Sequence, residues 1–172
     1  MVACRSEDKS TQLNTITGRK IDLSDSSLTG SVLMFLAPDC PLCQSYTLAF
    51  QKLEDKYKNK LGFYGVISGK YYNQNEIDHY IDSFHFDVPI IRDENFELAH
   101  SLDAQVTPHF YLLDNKLDIK YNGRLDNWAI SLGRKKLQAD SFFLENAIES
   151  FSKNEQITLK STKPVGCILE YD

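Results

Sequence analysis

Two cysteines, Cys40 and Cys43, stand one helical turn apart in LAPDCPLCQSY (36–46), and this spacing permits three chemistries. The pair can ligate a metal, staple a loop, or cycle between dithiol and disulfide. Structural zinc usually takes four ligands, often as two such pairs. The chain has a single Cys-x-x-Cys, so zinc would need Cys167 and a histidine such as His109 to converge on it. Four cysteines in all (Cys4, Cys40, Cys43 and Cys167) are too few for a disulfide-framework miniprotein, and the chain is too long to need one.

The flanking sequence favours the reactive pair. SVLMFLA (31–37) is apolar throughout, with turn signals on both sides, the pattern of a central strand buried on both faces. After Pro38-Asp39 the period changes. Leu42, Tyr46, Ala49, Phe50, Leu53 and Tyr57 recur at spacings of three and four, which predicts a helix reaching Lys58. Pro41 suits its first turn, where a missing N–H is harmless. Cys40 then falls at the helix N-terminus, where the dipole and unpaired N–H groups favour thiolate over thiol. Cys43 can reach its sulfur. Cys40 is the expected exposed nucleophile, attacking a partner disulfide, and Cys43 the expected buried resolver.

The elements that must position this pair read as βαβαβ followed by a β-hairpin and a helix. Buried strands are predicted at 61–67 and 88–92, helices at 74–84 and 95–102, a hairpin from 108–114 and 116–123 turning at Asn115, a helix over 138–151, and a last strand at 165–171. Gly18 between two β-prone runs (14–25) predicts a small hairpin ahead of them. Such alternation implies an α/β sheet with helices on both faces. We divide the chain into a flexible tether, 1–11, and one domain, 12–172. The net charge of −5, without a dense basic cluster, argues against nucleic acid; GRKK (133–136) reads as a solvated loop. No apolar run reaches the length of a membrane span. Val2-Ala3-Cys4 has the form of the end of a bacterial lipobox, which makes Cys4 the expected lipid-attachment residue, with the polar run behind it as the tether. The localisation this implies is exported, on the periplasmic or envelope side, with contact to the membrane only through that anchor.

The Ala-x-x-Cys-x-x-Cys pattern of LAPDCPLCQ, the preceding GRKIDLSDSSLTG, and QVTPHFYLLD (105–114) together resemble the thioredoxin-like redoxins, the group that includes periplasmic thiol–disulfide oxidoreductases and, more distantly, the alkyl hydroperoxide reductase/thiol-specific antioxidant proteins. The resemblance covers about residues 12 to 125, and more weakly continues to TKPVGC. It implies a thioredoxin fold: a central mixed β-sheet flanked by helices, here with an added N-terminal β-hairpin. It implies thiol–disulfide exchange with protein thiols and disulfides, a membrane reductase or oxidant as electron partner, and no cofactor, because the cysteines carry the electrons. It also implies a cis Pro108 beside the cysteines, with the backbone of Thr107 pairing with a partner's chain.

The sequence departs from the pattern in places. Met34 stands where thioredoxin has a buried acid, Tyr46 where cytochrome-maturation relatives have a glutamate, and Asp39 where thioredoxin has Trp. A carboxylate at Asp39 is expected to oppose thiolate formation at Cys40. The Pro-x-x-x-Thr/Ser-x-x-Cys of peroxiredoxins is absent, Ala37 occupying the Thr/Ser place. Two alternatives accompany the main reading: a peroxiredoxin-like thiol peroxidase, and a copper-binding, metal-delivery protein using Cys40, Cys43 and His109, as in assembly chaperones of this fold. Cys167 is read either as a buried, inert thiol or as a third redox cysteine. Arg124 and Asp126 in GRLDNW are expected to pair.

Overall fold

The computed structural model describes residues 12–171; Cys4 and the tether lie outside the described residues. In chain order the elements are β1 (Gln12–Asn14), β2 (Lys20–Asp22), β3 (Gly30–Phe35), α1 (Pro41–Tyr57), β4 (Leu61–Ser68), α2 (Gln74–Phe84), β5 (Ile90–Asp93), α3 (Glu97–Leu102), β6 (Val106–Thr107), β7 (His109–Asp114), β8 (Ile119–Gly123), β9 (Ala129–Ser131), β10 (Arg134–Lys135), α4 (Phe143–Ser152) and β11 (Cys167–Ile168). The central sheet has the order β5-β4-β3-β7-β8. Strand β3 is parallel to β4 and antiparallel to β7, so the sheet is mixed. The fold is the expected thioredoxin-like α/β architecture, with β1 and β2 forming the added antiparallel hairpin.

Every residue of β3 is buried, because both sheet faces are covered. Val32 and Met34 point into one core with Phe50 and Leu53 of α1, Tyr80 of α2 and Ile148 of α4. Leu33 and Phe35 point into a second core with Ile21 of β2 and Ala99 and Leu102 of α3. The two layers are unequal: three helices cover one face, and α3 shares the other with the N-terminal hairpin. Asp93 makes α3 possible. Its buried carboxylate accepts from the backbone N–H groups of Leu98 and Ala99, at 3.0 Å each, satisfying donors a short helix leaves free.

Several boundaries differ from those expected. The predicted helix over 138–151 begins only at Phe143. The residues before it are held otherwise: the Asn127 side chain accepts from the N–H groups of Asp140 and Ser141. Of residues 133–136, read as loop, Arg134 and Lys135 form β10, which pairs with β9 in a hairpin around Gly133 at φ +75°. The turn expected at Asn115 spans 115–118, with Leu117 at φ +65°. Of the strand expected over 165–171, only Cys167 and Ile168 pair, and they do so with β6 outside the central sheet.

The GRLDNW loop is held by Tyr46. Its hydroxyl donates to Asp126 Oδ1 at 2.7 Å and accepts from the Ala129 N–H at 3.2 Å. The Trp128 N–H adds a bond to the same carboxylate oxygen at 2.9 Å. The expected Arg124–Asp126 pair does not form; the Arg124 guanidinium donates to the carbonyls of Lys163 and Ala129. Replacing Tyr46 by Phe leaves a buried carboxylate short of a donor, so Tyr46→Phe should destabilise the fold by about 1–3 kcal/mol. Urea denaturation measures this, and an unchanged midpoint would show that the bond does not hold the loop.

Candidate active site

Cys40 is the N-cap residue of α1, with extended φ/ψ of −77° and 116°, and Pro41 opens the helix. The β3–α1 loop is tightened by the Cys40 N–H donating to the Ala37 carbonyl (3.1 Å) and by the Gln44 side-chain amide donating to the Pro38 carbonyl (2.9 Å). Cys40 thus precedes the free N–H groups of Leu42 and Cys43 in the first turn of α1. The thiol of Cys43, then that of Cys167 and these helix N–H groups, together outweigh burial and bring the Cys40 thiol down to about 5. At neutral pH Cys40 is therefore a thiolate.

Cys43 is fully buried. Burial, followed by the proximity of the Cys40 thiolate, pushes its thiol well above the ordinary range. The Ala37 N–H points at its sulfur from 3.5 Å. Met34 lies in the same core, so the place of the buried acid is apolar.

Cys40 is only 2% exposed, against the expectation that it would be the exposed member. Its cover is β11. Cys167 pairs with Thr107 in antiparallel register, and the two sulfurs of Cys40 and Cys167 stand 3.0 Å apart. A second contact, at 3.2 Å, joins the Cys40 sulfur to the Thr107 carbonyl. The Thr107–Pro108 peptide is cis. Cys167 is half-buried, and burial together with the charge on Cys40 pushes its thiol up to about 12. It is thus neither remote nor wrapped in the core, as an inert structural thiol would be. The expected opposition of Asp39 to the Cys40 thiolate is not what governs that thiol; Asp39 accepts a hydrogen bond from the Tyr72 hydroxyl, and its charge adds to the upward shift of Cys167. A cleft of about 310 Å³ opens beside the sulfurs, bordered by Ala37, Asp39, Tyr71, Tyr72, Thr107 and Ile168.

His109 is not part of this group. It starts β7 opposite Phe35, on the face away from the cysteines, and shares a 3.0 Å hydrogen bond with the Tyr111 hydroxyl. Burial lowers its ring to about 4, which keeps it neutral. The ligand set Cys40, Cys43 and His109 is therefore not assembled, and among the described residues no group of three or more His, Cys, Asp or Glu is placed to hold a metal.

Sequence reasoning did not find Gly166 or Tyr72. A Cβ on Gly166 would stand 2.2 Å from the Thr107 carbonyl oxygen, so only glycine lets the chain pass this close to the loop before Pro108. The signal was present: a glycine directly before a cysteine in a β-prone run marks close backbone approach. Tyr72 has no local signal, since its contact with Asp39 is made across the cleft.

Comparison with known proteins gives a consistent picture. A model of the AhpC/TSA family matches residues 7–122, roughly two thirds of the chain. No curated protein matches the sequence. Among solved structures, an uncharacterized conserved protein from Geobacillus kaustophilus superposes with a TM-score of 0.78 at 21% identity, covering 94% of this chain and 88% of that one. A hypothetical protein from Sinorhizobium meliloti 1021 gives 0.77 at 19% identity, covering 94% and 90%. The pneumococcal exposed lipoprotein thioredoxin of Streptococcus pneumoniae gives 0.61 at 13% identity, covering 80% and 97%. These likenesses are of fold.

The charge state of Cys40 is directly measurable. Because its thiol is lowered, the thiolate persists down to about pH 5, and alkylation of Cys40 by iodoacetamide should fall to half its plateau there. Mass spectrometry of the alkylated peptides follows each cysteine. An inflection near the ordinary thiol value would mean that neither Cys43 nor the helix N-terminus stabilises the charge.

Proposed function

The chain belongs to the AhpC/TSA family, and from that premise we propose that it is a thiol–disulfide oxidoreductase in which Cys40 is the nucleophile and Cys43 the resolver. The observation that carries this reading is Cys40 at the N-cap of α1, where its thiol is lowered toward the thiolate, with the fully buried Cys43 one turn on. The Cys40 thiolate attacks one sulfur of a partner disulfide, and the partner's other sulfur leaves as a thiolate and takes a proton. Cys43 then gives up its proton and attacks the Cys40 sulfur, and the partner's second thiolate departs. The partner gains two electrons and the protein holds a Cys40–Cys43 disulfide. Run backwards, the same steps donate a disulfide. Thr107 and Pro108 shape the edge against which the partner docks.

A stabilised Cys40 thiolate stabilises the reduced form, which makes the disulfide more oxidising. Thioredoxin, with a nucleophile near 7, lies at about −270 mV, and DsbA, near 3.5, at about −120 mV. With Cys40 at about 5, the couple should fall between them. Reduction should take up one proton for two electrons at neutral pH, since Cys40 stays charged while Cys43 is protonated. The potential should therefore drop by about 30 mV per pH unit rather than about 59 mV. Equilibration of the protein in defined thiol buffers at several pH values measures both quantities. A steep slope with a potential near that of thioredoxin would overturn the assignment of Cys40 as a charged nucleophile, and retention of disulfide exchange in Cys40→Ser would overturn the mechanism.

The peroxidase alternative has less support, because Ala37 stands where that chemistry needs a Thr or Ser hydroxyl. We place the protein outside the cytoplasm, anchored through Cys4 and exchanging electrons with a membrane reductase or oxidant. The fold's likeness to an exposed lipoprotein and the Val2-Ala3-Cys4 sequence support this. Labelled palmitate fed to expressing cells should enter the protein and be absent from Cys4→Ala; a chain that stays unlabelled would remove the anchor.

A further inference from the structure

We propose that Cys167 is a third redox cysteine that forms a disulfide with Cys40, and that β11 carries it there as an internal substrate seated on the docking edge. This rests on the exchange chemistry proposed for Cys40. The sulfur contact of 3.0 Å is about 1 Å longer than a disulfide bond, so bonding needs only a small movement. The strand that delivers Cys167 lies antiparallel to β6 with Cys167 opposite Thr107, the backbone edge at which a partner's chain would pair.

The segment is built to reach this place. Thr162 crosses Gly123 so closely that a Cβ there would meet the Thr162 backbone, and the Thr162 hydroxyl accepts from the Arg124 N–H at 2.8 Å. Beyond this strap Gly166 passes against Thr107. The Leu169 N–H then donates to the Gln105 carbonyl at 2.9 Å, and Tyr171 stacks on His100 at 4.5 Å. Yet β11 pairs through only two residues, and Ile168 is 79% exposed. A partner that displaces it breaks a two-residue pairing and lifts only the partly buried side chains of Val165, Cys167 and Leu169 from the cores.

The step balances with an external disulfide as oxidant. The Cys40 thiolate attacks it, one thiolate leaves, and the other half stays on Cys40. Cys167 releases its proton to solvent and attacks the Cys40 sulfur, forming the Cys40–Cys167 bond and expelling the second thiolate. Two electrons pass from the two protein thiols to the oxidant. While β11 is seated, Cys167 stands against the Cys40 sulfur at 3.0 Å and is the attacker there; once a docked protein partner has displaced β11, Cys43 resolves. The resulting disulfide closes the docking edge covalently. Cys43 reopens it by attacking Cys40 and expelling the Cys167 thiolate, with no net electron transfer.

The test uses the full chain with Cys4→Ser, oxidised by glutathione disulfide and mapped by mass spectrometry after acid quenching. With Cys43→Ser added, we expect loss of both remaining thiols, no retained glutathione, and a peptide pair linked through Cys40 and Cys167. With Cys43→Ser and Cys167→Ser together, glutathione should stay on Cys40. If glutathione persists on Cys40 equally in both chains, exchange at Cys40 stands and the role of Cys167 is overturned. If neither folded chain takes up glutathione, both readings fall. Should Cys43→Ser not fold, the chain with Cys43 intact decides. It should yield a Cys40–Cys167 linkage alongside Cys40–Cys43, in a proportion lowered by Gly166→Ala, and absence of that linkage in every thiol buffer overturns the proposal.

Discussion

The site depends on the register of β3 within the central sheet. Its last residue, Phe35, lies opposite His109 at the start of β7, and beside Val66 near the end of β4. The loop that leaves β3 and the loop that enters β7 are therefore forced to the same end of the sheet. One carries Cys40, the other Thr107 and Pro108. Because β3 is buried on both faces, a slip of one residue would exchange its two sets of apolar side chains between cores and is strongly disfavoured. The meeting of Cys40 with the Thr107–Pro108 loop is thus a consequence of core packing.

On this frame the chemistry is one of unequal burial. Three thiols share one region, and only one can carry charge. Cys40 takes it because the Cys43 thiol, then the Cys167 thiol and the N–H groups at the start of α1 stabilise its charge, while at Cys43 complete burial outweighs the Ala37 N–H that points at its sulfur. Burial first, and the charge on Cys40 after it, pushes the thiols of both neighbours up. This mutual dependence divides nucleophile from resolving thiols without a buried carboxylate: Met34 occupies that place, and Tyr46, in the position of another family acid, is committed to holding Asp126.

The C-terminal segment adds a layer that the sheet does not require. It contributes no strand to the central sheet, but it covers Cys40 and pairs with β6, the edge proposed for docking. Two glycines, at 123 and 166, let it approach other backbone closely at both points of attachment. Within it only Cys167 and Ile168 pair as strand, and Thr162, Leu169 and Tyr171 tie the chain down on either side.

Much of this was legible in the sequence because it is local. The apolar run of 31–37, the change of period after Pro38, and the place of Cys40 at the head of a helix all follow from residues within a few positions of one another, and the mixed sheet follows from their alternation. The readings that failed were those that join distant segments. His109 lies near the cysteines in the chain's motif but on the other face of the sheet, since alternate residues of a strand point to opposite sides. Cys40 is read as exposed from its loop and is buried by a segment 127 residues away. Asp126 takes Tyr46 instead of Arg124, because only the packing of α1 against that loop brings the hydroxyl within reach. That Cys40 is the thiol drawn toward charge follows from local features, Cys43 one turn on and the head of a helix. That Cys167 also touches it depends on where a strap with almost no secondary structure crosses the finished sheet, which no short stretch of residues specifies.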